Sequence, residues 1–475
     1  MAAFCAAAPW YDSDVNPRCF REYDIRGVAD VDLDDETVRA IGMAIGMRAV
    51  ASGDAPVVVV GRDCRVTSPR LFSALTDGIR VHAEVTDIGV VPSPVLYFAA
   101  HHLKPAAAVM ITGSHNPPED NGFKLMLGTQ TLYGAAIAEL RDDVAKLVGQ
   151  PGPHPTKPMH SRDMIGTYGQ YAMSQLQLGT RKLKVVLDAG NGAGGPTAVG
   201  LYKRLGLEVV PLYCDLDGTF PNHHPDPTQP SNLSDLIAIV KQENAELGIA
   251  LDGDADRIGV VDGTGRVLWG DQILIVLGKA LLEEVPGAKL VAEVKCSQAT
   301  FDAIAAAGGQ IEMWKVGHSL IKARMKETGA LLAGEMSGHI FFANRWLGFD
   351  DGIYAGARLI ELLSKSSRTL AELAAELPVA INTPELRVDC PDEHKQAVVA
   401  AVTASLRADP AVTGIVDIDG VRASFEGGWG LVRASNTQPV LVMRCEAATA
   451  ERLAEIRNTL EQHIANATAS LSTLS

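Results

Sequence analysis

The seven cysteines, Cys5, Cys19, Cys64, Cys214, Cys296, Cys390 and Cys445, stand singly, with no C-x-x-C spacing anywhere in the chain. That scatter argues against a zinc site or a disulfide frame and fits a reducing compartment. There is no block of lysine or arginine, and the formal net charge is -15. Phosphate backbones are gripped by clustered basic side chains, which argues against a nucleic-acid partner. No stretch approaches the run of about twenty apolar residues that crosses a bilayer, so no membrane partner is expected. The segment Met1 to Pro9 lacks the basic start and long apolar core of a signal peptide, and the cytoplasm is the expected location.

What is present is ample apolar material. With 475 residues, 47% of them hydrophobic and 21% charged, the chain is too long for one core. It should divide into about three or four domains. From residue 18 onward apolar strands alternate with helical patterns, the signature of an α/β chain. Helix Glu36 to Ala51 precedes strand Val57 to Val60, which runs into Gly61-Arg62-Asp63, and helix Ser68 to Val81 precedes a strand near Ala83 to Ile88. The proline-rich segment Pro151 to Pro158 has no periodicity and reads as a linker. Similar alternation resumes near Asp163 and again near Trp269, so the first three units look like a weak internal repeat. From about Pro378 the order changes to a strand, a helix over Glu393 to Arg407, a meander through Met443 and a terminal helix, an α+β pattern. The expected division is a lead-in over 1–18 and domains at 19–160, 161–266, 267–377 and 378–475.

Two stretches carry chemistry. The run Ala106 to Ile111 reads as a buried strand, so Ser114 and His115 emerge at its carboxyl end, where open α/β sheets place ligands. Pro117, Pro118 and the Asn121-Gly122 pair predict one stiff, non-helical loop that also carries Lys124. A Ser-His pair on a polar turn means little by itself. The second stretch, Asp252-Gly253-Asp254-Ala255-Asp256-Arg257, follows the apolar run Leu247 to Leu251. Three carboxylates at alternate positions repel unless a cation sits among them, and hard oxygen ligands select Mg²⁺ or Ca²⁺. An EF-hand is excluded, because Arg257 stands at the turn glycine and Gly263 at the bidentate glutamate. A serine able to carry a phosphoryl group together with a Mg²⁺ loop points to phosphoryl transfer.

Two other features are read as structural. The glycine-rich turn Asp188 to Gly195 lacks the G-x-G-x-x-G spacing of a dinucleotide site. The adjacent His223 and His224, on a proline-locked loop, are expected to point to different sides, which disfavours a shared metal.

Four segments in order, Thr112-Gly113-Ser114-His115-Asn116-Pro117, Asp252 to Arg257, Gly334-Glu335-Met336-Ser337-Gly338-His339 and Arg433-Ala434-Ser435-Asn436-Thr437-Gln438-Pro439, are similar to the signature loops of the α-D-phosphohexomutases. The resemblance covers the chain from about residue 20, and Lys315-Val316-Gly317-His318-Ser319 points to the bacterial phosphomannomutase/phosphoglucomutase branch. It implies three similar α/β domains with mixed sheets and a C-terminal α+β domain around one central cleft, each giving one loop. It implies that Ser114 is the phosphoserine and completes the Mg²⁺ shell of Asp252, Asp254 and Asp256. Hexose 1-phosphate and 6-phosphate would interconvert through a hexose 1,6-bisphosphate, with no macromolecular partner and a monomer or weak dimer as the assembly.

Proton transfer needs a group near the phosphoserine. The candidates are Lys124, His115 and Arg26, with Tyr23 beside them; Lys124 comes first, provided burial or neighbouring positive charge depresses its pKa. Glu335 and Ser337 fit recognition of ring hydroxyls. Arg433, Ser435, Asn436 and Thr437 fit the non-reacting phosphate, and Arg257, Lys295, Gly317, His318 and His339 would line the same cleft. Rival readings are a phosphoglucosamine mutase, a glucose-only mutase, or a non-catalytic phosphosugar-binding protein. Methionine after Glu335 argues against the amino-sugar branch, and the intact serine and metal loops argue against a non-catalytic protein. Gly113 and Ala255 depart from the residues common in the superfamily, both small for small. Reorientation of the bisphosphate without escape implies that the fourth domain closes over the cleft.

Overall fold

A computed structural model describes residues 15–53, 56–150, 152–436 and 438–472. Most of the expected lead-in, and Thr437 of the fourth loop, lie outside the described residues.

The described residues form four sheets. In the first, parallel strands Val57–Arg62, Glu84–Val90 and Ala107–Ile111 make the centre, and Asp120–Leu127 and Ile25–Val28 add antiparallel to one side. The second has Lys184–Asp188 between the parallel strands Glu208–Leu212 and Leu247–Leu251, with Ile258–Asp262 returning antiparallel. The third repeats the scheme: Lys289–Glu293 is parallel to Gln310–Trp314 and Leu332–Gly334, and Ile340–Phe342 returns antiparallel. In the fourth every pairing is antiparallel, around Val440–Ala447. Three mixed α/β layers and one α+β layer are therefore present, as the alternation of apolar strands and helices implied.

The recurring parallel strand followed by an antiparallel return explains where the chemistry sits. Ala107–Ile111, Leu247–Leu251 and Leu332–Gly334 are buried at every position, reading as continuous apolar or small runs, and each ends in one of the signature loops. All three loops thus hang from the carboxyl ends of central strands. Apolar packing also orders the domains. One core cluster runs without a break from Tyr97 and Phe98 of the first unit through Leu187, Ile249, Leu274 and Ile360. The fourth sheet keeps a core of its own, with Val402, Leu431's neighbour Val432, Met443 and Leu460.

The stiff loop expected to carry Ser114, His115 and Lys124 together is shorter than its prolines and Asn121-Gly122 predicted. Asn121, Gly122 and Lys124 lie in strand Asp120–Leu127, with Lys124 opposite Met110. Turn propensity lost to ladder pairing on both sides, since Gly122 is also opposite Arg26. Here glycine serves close approach: a Cβ would lie 2.1 Å from Ile25 O. Elsewhere the expected helices differ by a few residues, as with Asp35–Ala51 and Ser68–Ile79.

Candidate active site

Ser114 follows strand Ala107–Ile111 and adopts φ +48°, the left-handed region that side chains other than glycine rarely occupy. The turn aims its hydroxyl at the second domain: Oγ donates to Asp252 Oδ2 at 2.7 Å, and His115 Nδ1 lies 3.1 Å from Ser114 Oγ. Ser114 N donates to Thr112 Oγ1 at 2.9 Å. Arg26, on strand Ile25–Val28, donates to Gly113 O at 3.1 Å and Asn116 Oδ1 at 3.0 Å and is paired to Asp24 at 2.7 Å.

Asp252, Asp254 and Asp256 are fully buried, and each offers an oxygen within 4.8 Å of the others. Lys124 enters from the neighbouring domain, donating to Asp254 Oδ2 at 2.6 Å and to Asp256. Burial opposes the lysine's charge, but Asp254 and Asp256 outweigh it and raise the Lys124 pKa well above the ordinary value. Burial likewise opposes ionisation of Asp254, yet Lys124 holds that carboxyl below its usual range. Asp252 is left without such a partner, and burial together with Asp256 and Asp254 pushes it well above the usual range. Arg26 and Arg257 add their charge to that of Lys124, yet Asp252 stays raised. Asp254 Oδ1 and Asp256 Oδ1 are buried without a hydrogen-bond partner among the described residues. This donor set fits a hard divalent cation.

The same geometry corrects the first candidate for a general base. A lysine base needs a depressed pKa, whereas Lys124 is bound by two carboxylates and firmly charged. His115 has the opposite environment: burial, then Arg257 and Arg26, hold its imidazole well below the ordinary value and hence neutral.

The third loop packs against this cluster. Glu335 accepts from Gly317 N at 2.7 Å, Arg257 Nε donates to His339 Nε2 at 3.0 Å, and the rings of His318 and His339 stack with centroids 5.5 Å apart. Asp350 Oδ2 lies 3.3 Å from His318 Nδ1 and 3.2 Å from His339 Nδ1. Ser337 is half-buried on the loop. From the fourth domain, Arg433 pairs with Asp419 at 3.1 Å, and Asn436 Nδ2 donates to the Tyr23 hydroxyl, which itself donates to Val316 O at 2.7 Å. Ser435 Oγ accepts from Gln438 N at 3.2 Å. Lys295 lies 3.3 Å from Glu385 and 3.7 Å from Glu293.

Three participants escaped the motif reading. Lys395 is buried and donates to Ser435 O at 2.6 Å and Gln438 O at 2.9 Å, bracing the fourth loop from a helix. His224 Nε2 contacts His115 O, while His223 lies 3.0 Å from Asp188, so the two imidazoles do point apart. Ser93 Oγ donates to Asp254 Oδ2 at 2.5 Å, pinning the start of helix Ser93–Leu103 to the acidic loop. None of the three stands in a motif; only the fold brings them to the cleft.

Four matches to known families tile the chain: phosphoglucomutase/phosphomannomutase alpha/beta/alpha domain I at residues 17–147, domain II at 144–265, domain III at 269–380, and the C-terminal domain at 385–463. A phosphomannomutase/phosphoglucomutase of Pseudomonas aeruginosa is 46% identical over 451 residues, covering 94% of this chain and 95% of the relative. The chain belongs to the phosphoglucomutase/phosphomannomutase family. A phosphoglucomutase of Neisseria meningitidis is as similar, 46% identical over 440 residues with 92% and 95% coverage. Among solved structures, a phosphoglucomutase/phosphomannomutase family protein of Burkholderia thailandensis superposes with a TM-score of 0.88 at 41% identity, covering 96% of this chain and 98% of that one. In this family member the serine, acidic, glutamate and arginine loops sit on four sheets in chain order. Among the described residues, no helix is long and apolar enough to cross a membrane.

Proposed function

We propose that the chain is a phosphohexomutase that interconverts the 1-phosphates and 6-phosphates of mannose and glucose, with Ser114 as phosphoryl carrier. The observation that carries this reading is the Ser114 hydroxyl held at 2.7 Å from Asp252, at the mouth of a buried triad of carboxylates. In the first half-reaction the Ser114 Oγ–P bond breaks as the free hydroxyl of a hexose monophosphate bonds to phosphorus. The hydroxyl proton finishes on Ser114 Oγ, and neutral His115, 3.1 Å from that oxygen, is the group placed to relay it. The hexose 1,6-bisphosphate so formed turns over and returns its other phosphoryl group to Ser114. In this second half-reaction the bonds and the proton move the opposite way, with the other sugar O–P bond breaking as Ser114 Oγ bonds to phosphorus.

Asp252, Asp254 and Asp256 are read as the holders of Mg²⁺, which when bound would draw negative charge from the transferring group. Lys124 and Arg26 supply fixed positive charge beside it. Glu335 and Ser337 are read as partners of the ring hydroxyls, with His318, His339, Gly317 and Arg257 around them. Arg433, Ser435, Asn436, Thr437, Lys295 and Tyr23 are read as the seat of the non-reacting phosphate. Residues 19–160, 161–266, 267–377 and 378–475 would be the working domains, of a cytoplasmic monomer or weak dimer.

Relatives named for both sugars and for glucose alone match equally well, so specificity needs a direct comparison. Rates with mannose 1-phosphate, glucose 1-phosphate and glucosamine 1-phosphate should be within about tenfold for the first two and far lower for the third. Turnover of glucose 1-phosphate alone would remove mannose from the reading, and turnover of none would overturn it.

A further inference from the structure

Four carbonyl groups in and beside the serine loop are held from behind by one side chain that no motif marks. Arg65 follows strand Val57–Arg62 and is 1% exposed. Its Nη2 donates to Ser114 O at 2.8 Å and Asn116 O at 2.6 Å, and its Nη1 to Pro117 O at 2.5 Å and Asp120 O at 2.9 Å. Behind it, Asp63 Oδ2 lies 3.2 Å from Arg65 Nε and accepts from Gly113 N at 3.2 Å. The Phe220 ring of the second domain covers the guanidinium at 5.0 Å.

In this segment of two prolines between strands, Pro117 O also accepts from Asp120 N at 3.0 Å, and the fork supplies donors to the carbonyls of Ser114, Asn116 and Asp120 as well. A planar fork of five N–H donors can serve four of them at once, which the single ammonium of lysine cannot. The fit is close on the other side as well: a Cβ on Gly113 would lie 2.6 Å from Arg65 Cζ. The conformation being held is an unfavourable one, since Ser114 sits at φ +48°. Such residues persist only where their surroundings over-determine them. Freed from the fork, Ser114 would relax toward negative φ, and Oγ would swing away from Asp252.

We propose that Arg65, braced by Asp63, is a positioning residue for phosphoryl transfer: its guanidinium holds the serine-loop carbonyls so that Ser114 Oγ is delivered to the acidic triad. The inference rests on the reading of Ser114 as phosphoryl carrier, and the experiment separates the two. In Arg65→Lys the charge stays and the fork is lost. The variant should fold, as judged by circular dichroism and thermal unfolding, and keep KM for glucose 1-phosphate within about threefold. Its kcat should fall about 100-fold, the scale of loss from a misplacement of about 1 Å. The single-turnover rate at which glucose 1,6-bisphosphate phosphorylates Ser114, followed by intact mass, should fall by the same factor. If Arg65→Lys does not fold, Asp63→Asn decides, with an expected loss of about tenfold in both rates, as for a residue that orients a catalytic group. A folded variant that phosphorylates Ser114 at the parental rate, or whose loss lies wholly in KM, overturns the inference. A parental protein that never takes phosphate on Ser114 overturns instead the reading on which it rests.

Discussion

Ser114 and Asp252, 138 residues apart, meet in a 2.7 Å hydrogen bond that joins the strand ends of two different sheets. Ser114 supplies a hydroxyl with little reactivity of its own, and Asp252 belongs to a buried carboxylate triad in which Asp254 Oδ1 and Asp256 Oδ1 have no hydrogen-bond partner among the described residues. Each explains the other: the phosphoryl group that the serine would carry is the anion that a divalent cation among those carboxylates would stabilise.

Removal of metal should therefore silence the enzyme. Treatment with a chelator should abolish mutase activity and added Mg²⁺ should restore it, while Asp252→Asn should lower kcat by at least about 100-fold. Full activity in chelator-treated protein would show that the three buried carboxylates serve structure alone.

Tyr23 links three domains. Its hydroxyl donates to Val316 O and accepts from Asn436, so the fourth-domain loop already touches the first domain across the cleft. Tyr23→Phe should raise KM several-fold, as expected for loss of one or two hydrogen bonds of about 1 kcal/mol each. Small-angle scattering of the parental protein should also contract with saturating glucose 1-phosphate. An unchanged KM and unchanged scattering curves would count against closure.

The His223–Asp188 pair gives a pH-dependent term in stability. Burial lowers the His223 pKa, but the hydrogen bonds and charge of Asp188 outweigh it, and the net shift is upward. A raised folded pKa means that the pair's contribution is complete below the unfolded histidine value and disappears as pH rises through the folded one. His223→Gln should thus cost about 1 kcal/mol near pH 5.5 and much less at pH 9 in denaturant unfolding. An equal cost at both pH values would mean that the charge contributes nothing.

The sequence was most legible where chemistry and local pattern coincide. Continuous apolar runs marked the strands that lead to Ser114 and Asp252, and the spacing of carboxylates marked a cation site. Lys124 was misplaced because Asn-Gly normally signals a turn, and only pairing with strands on both sides keeps it extended. Its electrostatics were misjudged for a related reason: Asp254 and Asp256, which fix its charge, are 130 and 132 residues away. Arg65, Ser93, His224 and Lys395 act through backbone carbonyls or single contacts that leave no mark in spacing. Their parts become visible only once the strands are in register.

The most direct measurement is the mass of the Ser114 peptide. Protein incubated with glucose 1,6-bisphosphate should gain one phosphate, confined to Ser114, and lose it when glucose 1-phosphate is added in excess. Ser114→Ala should take up none and lose at least about 1,000-fold in activity. An active protein with phosphate on another residue, or an active Ser114→Ala variant, would contradict the account.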